Sequence, residues 1–519
     1  MPTLNWIGKD KVVNHHNEVP FRVLEKQYTF GDTPDSGNMI IHGDNLEALK
    51  ALLPKYEGKV KCIYIDPPYN TGNEGWVYND NVNDPHIRKW LGQVVGSEVD
   101  DLTRHDKWLC MMYPRLTLLQ RLLSEDGAIF ISINDNENAA LRYICDEIFG
   151  RSNFVGIITW ESTTQPTNVG SAKFNLQKKV EEILLYKFGD KKFNVESVAS
   201  SKKYPHMGKF GPCRFEIIEK SDAGGYERAT MKFPILGQFP RPGKRWQIGE
   251  ETAKELVAAG KIEIINGIVK RAVYPEDEVG KDSFVPFWSH FSADYGTAQK
   301  GKEILNSILA RPVGFDTVKP PTLIESLISH IPDNSIVLDS FAGSGTTAHA
   351  VLNLNKQDGG NRKFILCEMC DYAETITAER VRRVMSGYGE GSNAVEGTGG
   401  SFDFYELGTT IFDNKTEMLN DEADTEQIRQ YVWYAETHTA YKEDPKRSNT
   451  YLLGTHNFTD YYFYYEPKQE TVLDWNFLET LKQRAEQYII YADRCLLAQE
   501  ELQKFNIVFK KIPRDIKRL

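Results

Sequence analysis

The sequence predicts an α/β protein built on a mixed, mainly parallel sheet with helices on both faces. Two stretches, 38–150 and 319–385, alternate short apolar strand patterns with helix patterns, as parallel βαβ units do. The stretch between them, 154–315, is rich in lysine, aromatic residues and proline and has few helix patterns. A glycine-rich segment at 387–400 is typical of a linker, and an α/β segment follows it.

These patterns divide the 519-residue chain into four parts. We expect an α/β domain in two parts, 1–153 and 316–390, interrupted by a mixed or β-rich insertion at 154–315. A C-terminal α/β domain with an interaction or structural role covers 391–519. With 40% hydrophobic and 12% aromatic residues, the chain has ample material for packed cores, which excludes a mostly disordered protein.

The sequence lacks the segments that direct a chain to or across a membrane. No window approaches 18 consecutive apolar residues, so we expect no membrane-spanning helix. The opening residues, MPTLNWIGKDKVVNHH, have no apolar signal core. Seven cysteines, an odd number, are ordinary for a reduced compartment, so we expect a cytoplasmic protein.

The first α/β stretch contains two buried strand patterns. Lys59–Ile65 (KVKCIYI) is a continuous apolar run, typical of a parallel strand covered on both faces. The patterns that follow are a helix opened by Pro114, a turn at Asp126-Gly127, a strand over Ala128–Ile133, and a helix capped by Asn134 that ends near Gly150.

The second α/β stretch reads as one βαβ unit with glycines in its first turn. The predicted elements are a strand over Ser335–Asp339, a helix over Thr346–Asn355, a turn at Gly359-Gly360 and a strand over Lys363–Cys367. A helical segment from Asp474 to Lys504 and an aromatic run, YYFYYE at 461–466, are expected in the C-terminal part. The aromatic run fits either a core or a docking surface.

Asp66-Pro67-Pro68-Tyr69 directly follows the first buried strand. A carboxylate there lies at the edge where parallel sheets bind ligands. A carboxylate oxygen, a proline-flanked carbonyl and a flat ring together suit an exocyclic amine on a planar base, because the amine donates hydrogen bonds and the ring stacks. The alternative interpretation is a proline-rich turn with a helix-capping aspartate.

Phe341-Ala342-Gly343-Ser344-Gly345-Thr346 connects a predicted strand to a predicted helix. Glycines at such a turn let the backbone approach a ligand at a helix N-terminus. No lysine follows the last glycine, which excludes a Walker phosphate loop. Glu368, just past the next strand, could accept from ribose hydroxyls, so the pattern fits an adenosine-bearing cofactor without a pyrophosphate. The alternative is a tight turn with a solvent-facing glutamate.

The charge distribution singles out the middle of the chain. Overall the chain has 62 basic and 73 acidic residues, a net charge of −11. Residues 151–250 nevertheless carry seven more basic than acidic side chains, whereas residues 401–500 carry ten more acidic ones. A basic segment in an acidic protein can follow a phosphate backbone, and it can equally be a solvated lysine-rich surface.

The cysteine and histidine patterns do not indicate a metal site. Cys367 and Cys370 have the C-x-x-C spacing, but a zinc site needs a second pair, and none lies close by. A redox pair is an alternative, although two structural cysteines fit the strand-end position better. The histidines do not form ligand pairs with an acidic partner, so we expect no metal.

Several stretches of the sequence resemble one enzyme family. They are HGDNLEAL (42–49), YIDPPYNTGNEGWVYND (64–80), RLTLLQRLLSEDGAIFISI (115–133), DEIFG (146–150), FDTVKPPTL (315–323), LDSFAGSGTTAHAV (338–351) and KKIPRDI (510–516). In these motifs and their order, the chain resembles DNA amino-methyltransferases of the β group, which use S-adenosylmethionine. It is most similar to the modification subunits of type III restriction-modification systems.

The resemblance implies a Rossmann-like methyltransferase fold and a role for each matching position. Asp66 and the Pro67 carbonyl, with Pro68 in the same turn, would hold the target amine, and Tyr69 would stack on a flipped base. The matching cofactor-binding positions are Asp44, Lys319, Pro320, Asp339, Phe341, Gly343, Gly345, Thr346 and Glu368. Of these, Asp44 would lie near the adenine, Lys319-Pro320 near the methionine end and Glu368 at the ribose.

The resemblance also implies a substrate and partners. Cytosine-N4 relatives usually have Ser or Thr at the position of Asp66, which favours adenine N6 in double-stranded DNA as the target. Candidate DNA contacts in the insertion are Lys173, Lys178, Lys179, Lys202, Lys203, Arg241, Lys244 and Arg245. Because the chain has no helicase or nuclease signature, we expect DNA cleavage to need a separate ATP-dependent restriction subunit. We also expect a homodimer. The alternatives are an inactive DNA-recognition subunit, or a cytosine-N4, RNA or protein-amide methyltransferase of the same fold.

Overall fold

The computed structural model describes residues 3–70, 101–165, 176–189, 196–198, 204–222, 228–278, 284–315, 317–413, 416–442, 449–481 and 484–518. The chain forms two compact units. The main unit consists of Met1–Asn194 and Trp288–Leu519, and the inserted unit consists of Val195–Phe287. Within the described ranges, no helix combines the length and the apolar character needed to cross a membrane.

A ten-stranded sheet runs through the described part of the main unit. Its strands in chain order are β1 (Arg22–Phe30), β2 (Met39–His42), β3 (Val60–Ile65), β4 (Leu123–Ile133), β5 (Phe154–Glu161), β6 (Val180–Lys187), β7 (His290–Phe291), β8 (Ile336–Asp339), β9 (Lys363–Glu368) and β10 (Phe402–Thr410). Their spatial order is β1-β10-β2-β9-β8-β3-β4-β6-β5-β7. Strands β10 to β4 in this order are parallel. β1 and β6 run antiparallel to their neighbours, and β7 runs parallel to β5.

Helices connect and cover these strands, as expected for an α/β fold. Those of the main unit are α1 (Lys9–Val12), α2 (His15–Glu18), α3 (Asn45–Tyr56), α4 (Asp101–Leu122), α5 (Asn138–Cys145), α6 (Ala298–Leu309), α7 (Pro321–Ile328), α8 (Thr346–Asp358), α9 (Glu379–Ser386), α10 (Thr425–Thr437), α11 (Trp475–Glu479) and α12 (Gln499–Lys504). Two π-helical turns, Asp146–Gly150 and Ala373–Ala378, adjoin α5 and α9. Helix α8 connects β8 to β9, which confirms the predicted βαβ unit.

The two predicted α/β stretches meet at the centre of this sheet. β8 pairs in parallel with β3, with Val337 opposite Cys62 and Leu338 opposite Ile63. From this pair the chain proceeds in opposite directions, from β3 to β4 on one side and from β8 to β9 on the other. Such a reversal opens a crevice at the carboxyl ends of the strands, where α/β sheets bind ligands. The segments that follow β3 and β8 therefore share one edge.

Helix α4 differs from the sequence prediction. Pro114 was expected to open a helix, but the helix begins at Asp101 and runs through this proline. An internal proline costs about 3 kcal/mol because it lacks the N–H and clashes with the preceding turn. The burial of Trp108, Met112 and Leu116, each 0% exposed, outweighs that cost.

Two turn predictions around β4 were also wrong. Asp126-Gly127 lies inside β4, where the register against β3 is irregular, so these residues form a bulge within a strand. Asn134 does not cap the next helix, because α5 begins only at Asn138. The Asn134 side chain instead accepts a hydrogen bond from the Asn136 amide, the contact of an Asx turn.

The inserted unit is largely β. It is shorter than the predicted insertion at 154–315, because β5, β6 and β7 join the ten-stranded sheet of the main unit. Its strands are Glu196–Val198, His206–Gly208, Gly211–Ile217, Glu219–Ser221, Lys244–Trp246, Ile262–Ile265, Ile268–Val273 and Phe284–Pro286, and its α-helix is Glu250–Ala258. Trp246, 0% exposed, is the largest side chain of a core that also contains Ile218 and Phe233. This core lies within the inserted unit itself.

The C-terminal segment contributes one strand to the large sheet and forms a second, smaller sheet. β10 lies between β1 and β2, directly after the glycine-rich segment. The smaller sheet contains Leu452–His456, Thr459–Phe463, Gln487–Ala492 and Ile507–Lys511. The helix predicted over 474–504 was wrong, because its apolar centre, QYIIYA, pairs in parallel with two neighbouring strands. Four of the five aromatic side chains at 461–465 are buried, so the run is mainly core.

Candidate active site

Asp66 begins the turn that follows β3, at the carboxyl edge of the sheet. Its Oδ2 atom lies 2.8 Å from the Lys319 ammonium. Its Oδ1 atom is buried and has no hydrogen-bond partner among the described residues. A buried carboxylate oxygen without a donor is costly, and a bound ligand with an N–H group would satisfy it.

A side chain of helix α4 holds the two-proline turn by a hydrogen bond. The indole N–H of Trp108 donates to the Pro68 carbonyl at 2.7 Å, and Trp108 is fully buried. Pro67 is buried as well. Because proline already restricts its own φ, this single additional bond leaves the turn little freedom.

Tyr69 completes the turn and is held at its hydroxyl. The hydroxyl donates to Oε2 of Glu181 at 2.9 Å and accepts from the Lys319 ammonium at 2.9 Å. Burial raises the pKa of Tyr69 well above its ordinary value, and the negative charges of Asp66 and Glu181 raise it further. The phenol therefore stays neutral and its ring keeps a fixed position.

Asn70 anchors the end of the turn. It adopts a left-handed conformation (φ 59°) and is fully buried. Its side-chain amide donates to Oε1 of Glu137, and the His105 ring contacts the same oxygen at 2.6 Å. This buried cluster fixes the backbone immediately after Tyr69.

Lys319 is the centre of the polar cluster. Its side chain is 7% exposed, and its ammonium also lies 3.2 Å from Oε2 of Glu181. Burial alone would lower its pKa, but Asp66 and Glu181 reverse this and raise it above the ordinary value. The lysine therefore stays charged, and the cluster of two carboxylates and one ammonium has a formal net charge of −1.

The glycine loop after β8 has the conformation that its sequence predicts. Gly343 (φ 52°) and Gly345 (φ 80°) are both left-handed, where a side chain is disfavoured. Gly345 immediately precedes α8. A Cβ atom there would lie 3.2 Å from the backbone oxygen of Thr377. The loop therefore requires glycine for both its backbone angles and its space.

Asp339 braces the glycine loop from the end of β8. One carboxylate oxygen accepts from the Phe341 amide at 3.0 Å, and the other accepts from the Thr347 hydroxyl. Burial raises the pKa of Asp339 to about 7, and the charge of Asp66 adds to this. Thr346, in the first turn of α8, accepts from the buried guanidinium of Arg380 at 2.7 Å.

Glu368, the last residue of β9, also holds this loop. Its two oxygens accept from the backbone amides of Gly343 at 2.7 Å and Cys370 at 3.0 Å. The side chain is 1% exposed, and burial raises its pKa. Asp44 caps helix α3 through the Leu46 amide at 2.8 Å. Both carboxylates thus lie at the carboxyl ends of neighbouring strands, β9 and β2.

Several residues of this edge were missed by the sequence analysis. Asn45, 1% exposed, donates to the Ser340 carbonyl at 2.8 Å and accepts from Arg115. Arg115 also reaches Asp44 at 3.0 Å, so one network joins α3, α4 and the glycine loop. Trp108, Glu181 and Arg380 were missed too. The contacts of these residues depend on tertiary packing. Asn45 alone among them had a local signal, because it follows the predicted site residue Asp44 in the GDN turn.

The basic candidates for DNA contact are mostly paired with acids. In the main unit, Lys178 pairs with Asp135 and Lys179 lies 3.1 Å from Glu161. In the inserted unit the candidates Arg241, Lys244 and Arg245 face Glu219 or Asp222 at 2.6, 4.0 and 3.5 Å. Lys173, Lys202 and Lys203 lie outside the described residues. DNA contact by these side chains stays a prediction.

Comparison with known proteins identifies relatives of similar sequence. A chain of 33% identity is the StyLTI Mod subunit, a type III restriction-modification enzyme subunit from Salmonella typhimurium; the match covers 70% of this chain and 58% of the relative. The EcoP15I Mod subunit from Escherichia coli is 31% identical, over 71% and 64% of the two chains. The type II methyltransferase M.KpnI from Klebsiella pneumoniae is 33% identical, over 64% and 81%.

The chain spans about three fifths of the length of the two Mod subunits that it matches. The family model N6_N4_Mtase, described as DNA methylase, matches residues 60–379. That match begins at β3 and includes the Asp66–Tyr69 turn, the inserted unit, the glycine loop and Glu368. The chain therefore belongs to the N6_N4_Mtase family of DNA methylases.

Proposed function

We propose that this chain transfers a methyl group from S-adenosylmethionine to the N6 amine of adenine in double-stranded DNA. The observation that carries the proposal is the buried Oδ1 atom of Asp66, which has no partner among the described residues and lies beside Tyr69, at the same edge as the glycine loop. A hydrogen-bond acceptor and a flat ring at a ligand-binding edge suit an amine on a planar base.

The glycine loop and the strand ends around it fit the cofactor. The left-handed Gly343 and Gly345 open the backbone at the start of α8, and Phe341 supplies an apolar wall. Asp44 and Glu368 place carboxylates where ribose and adenine donors could reach them. S-adenosylmethionine, when bound, supplies an electrophilic methyl group on a positively charged sulfur.

The role of Asp66 follows from the electronic structure of the target amine. The N6 lone pair is delocalised into the adenine ring, so the amine is a weak nucleophile. One N–H group of the amine would donate a hydrogen bond to Asp66, and the other would donate to the Pro67 carbonyl. These two hydrogen bonds favour a more pyramidal nitrogen and direct its lone pair toward the methyl group. The net charge of −1 on the polar cluster stabilises the positive charge that develops on nitrogen.

Tyr69 has to capture a base that is normally stacked inside the duplex. Flipping the base out costs a few kcal/mol. Stacking on an aromatic ring returns about 1–3 kcal/mol. The hydroxyl contacts of Tyr69 hold the ring in one orientation before the base arrives, which reduces the ordering cost of capture.

We also infer a biological setting for this activity. Two relatives are named Mod subunits of type III restriction-modification enzymes, which supports a role as the modification subunit, with DNA cleavage assigned to a separate restriction polypeptide. The basic stretch at 151–250 and the inserted unit would read the DNA sequence, within a cytoplasmic homodimer. The type II relative supports one alternative, a methyltransferase that acts without a restriction subunit.

The test is transfer of labelled methyl from S-adenosylmethionine to unmethylated bacterial DNA, with the product nucleoside identified by mass spectrometry. We expect N6-methyladenine from the wild type and from Asp126→Ala, a surface carboxylate near the amino end of β4. We expect none from Asp66→Ala, with cofactor binding retained. N4-methylcytosine would overturn the adenine assignment, and full activity of Asp66→Ala would overturn the assigned site.

A further inference from the structure

The Lys319 ammonium donates two hydrogen bonds and contacts a third oxygen among the described residues. A lysine ammonium has three N–H donors. Three oxygens surround this one, Asp66 Oδ2 at 2.8 Å, the Tyr69 hydroxyl at 2.9 Å and Glu181 Oε2 at 3.2 Å. The family resemblance suggested a cofactor contact for Lys319. In the described residues the ammonium faces Asp66, Tyr69 and Glu181, and the cofactor contact stays a prediction.

This arrangement separates the two oxygens of Asp66. Oδ2 is held by the ammonium, while Oδ1 is buried and unpartnered among the described residues. A carboxylate held at one oxygen cannot rotate freely, so its second oxygen points in a fixed direction. Lys319 therefore orients the acceptor that the proposed reaction needs.

Glu181 in turn holds Lys319. It lies near the amino end of β6, which runs antiparallel to β4, so this end of β6 reaches the carboxyl edge of the parallel strands. The same Oε2 atom contacts the Lys319 ammonium and accepts from the Tyr69 hydroxyl. Glu181 is thus joined to the acceptor through Lys319 and to the stacking ring directly.

We propose that Glu181 is a positioning residue for methyl transfer, acting through Lys319 on Asp66 and directly on Tyr69. Without Glu181 the ammonium would have only one carboxylate nearby and would turn onto both oxygens of Asp66. It would then compete with the target amine for Oδ1. Removing Glu181 would also remove one of the two hydrogen bonds that hold the Tyr69 hydroxyl, and it would reduce the cluster from a net charge of −1 to zero. This inference rests on the proposed function.

The experiment compares Glu181→Ala and Glu181→Gln with Glu182→Gln in the full-length chain. Glu182 is the adjacent glutamate of β6, and it accepts from Asn138 rather than joining the cluster. We expect kcat for methyl transfer to unmethylated bacterial DNA to fall about 100-fold in Glu181→Ala, the usual effect of a small misplacement of reacting groups. Glu181→Gln should lose less, because its amide oxygen can still accept from Lys319 or Tyr69.

Two further readouts separate positioning from a general structural role. The Kd for S-adenosylmethionine and the thermal midpoint of Glu181→Ala should stay close to the wild-type values, and Glu182→Gln should keep wild-type kcat. A loss of cofactor affinity in parallel with kcat, or an unchanged kcat, would overturn the inference. A wild type that methylates no DNA would instead overturn the proposed function.

A crystal structure of Glu181→Ala tests the positioning independently of activity. We expect the Lys319 ammonium to approach Oδ1 of Asp66 and the Tyr69 ring to shift. If Lys319 and Tyr69 keep their wild-type positions, Glu181 does not position them, whatever the reaction proves to be.

Discussion

Replacing Asp339 with asparagine should remove one contribution to the pH dependence of the free energy of unfolding. Asp339 is 2% exposed, and burial raises its pKa from 3.8 to about 7. The unfolded chain loses this proton near pH 4, whereas the folded chain keeps it until about pH 7. Between these values the folded state binds more protons, so the free energy of unfolding falls as the pH rises and then levels off.

The magnitude follows from the size of the pKa difference. About three pKa units, at 1.36 kcal/mol each, correspond to about 4 kcal/mol between pH 4 and pH 8. Asparagine does not ionise, so this loss of stability does not occur in Asp339→Asn. Its amide oxygen can accept from the Phe341 amide, and its NH₂ can donate to the Thr347 hydroxyl, which both donates and accepts.

The assay is urea unfolding of Asp339→Asn and the wild type, without cofactor, at pH 5, 6, 7 and 8. We expect an advantage of about 2 kcal/mol for the variant at pH 5, which grows to about 4 kcal/mol at pH 8. Thr347→Val is the matched comparison, because the Thr347 hydroxyl stabilises the ionised carboxylate; this variant should lose more stability at pH 8 than at pH 5. A difference between Asp339→Asn and the wild type that does not change with pH would refute the reasoning.

Three further substitutions test residues that hold the glycine loop and the Asp66–Tyr69 turn in place. Gly345→Ala should cost about 1–2 kcal/mol of stability for its left-handed φ, with a further loss from the 3.2 Å approach to the Thr377 oxygen, measured by thermal unfolding and cofactor titration. Trp108→Phe should lower kcat but not cofactor affinity, because it removes the hydrogen bond to Pro68 while retaining the ring. Asn45→Ala should lower stability by about 1–3 kcal/mol, because it leaves a buried loop carbonyl and a guanidinium with fewer partners.

Each of these expectations has an outcome that contradicts it. Gly359→Ala, at the end of α8 with a left-handed φ of 73° and open space for a Cβ atom, is the control for Gly345→Ala, and equal losses of cofactor affinity in the two variants would contradict a specific role for the loop. An unchanged kcat in Trp108→Phe would show that the prolines alone fix the turn. An unchanged thermal midpoint in Asn45→Ala would show that the network joining α3 to the loop contributes little.

The Asp66–Tyr69 turn and the glycine loop could be predicted because their signals are local. The apolar run of β3 ends directly at Asp66, and the glycines lie between a strand pattern and a helix pattern. Glycine at 343 and 345 permits the left-handed angles that this turn adopts. At these two places the local pattern was sufficient, whereas the turn predicted at Asp126-Gly127 and the cap predicted at Asn134 were wrong.

The contacts that complete the site could not be predicted in the same way. Lys319 and Asp66 are 253 residues apart, and Glu181 reaches them only because β6 adds to the sheet in the antiparallel direction. No local pattern encodes that addition. The apolar run at 487–492 was misassigned for a related reason, since its strand conformation depends on partners at 459–463 and 507–511.

The contacts of the Lys319 ammonium bear on which bases the proposed site would accept. Because the ammonium faces Asp66 Oδ2, the Tyr69 hydroxyl and Glu181, the group of the described polar cluster that is left for an entering base is an acceptor, Oδ1 of Asp66. In the proposed reaction an amino group would donate to that oxygen, whereas a keto oxygen in the same place would face it lone pair to lone pair. The lysine that orients the carboxylate would thus also favour a base with an amino group over one with a keto group at that position.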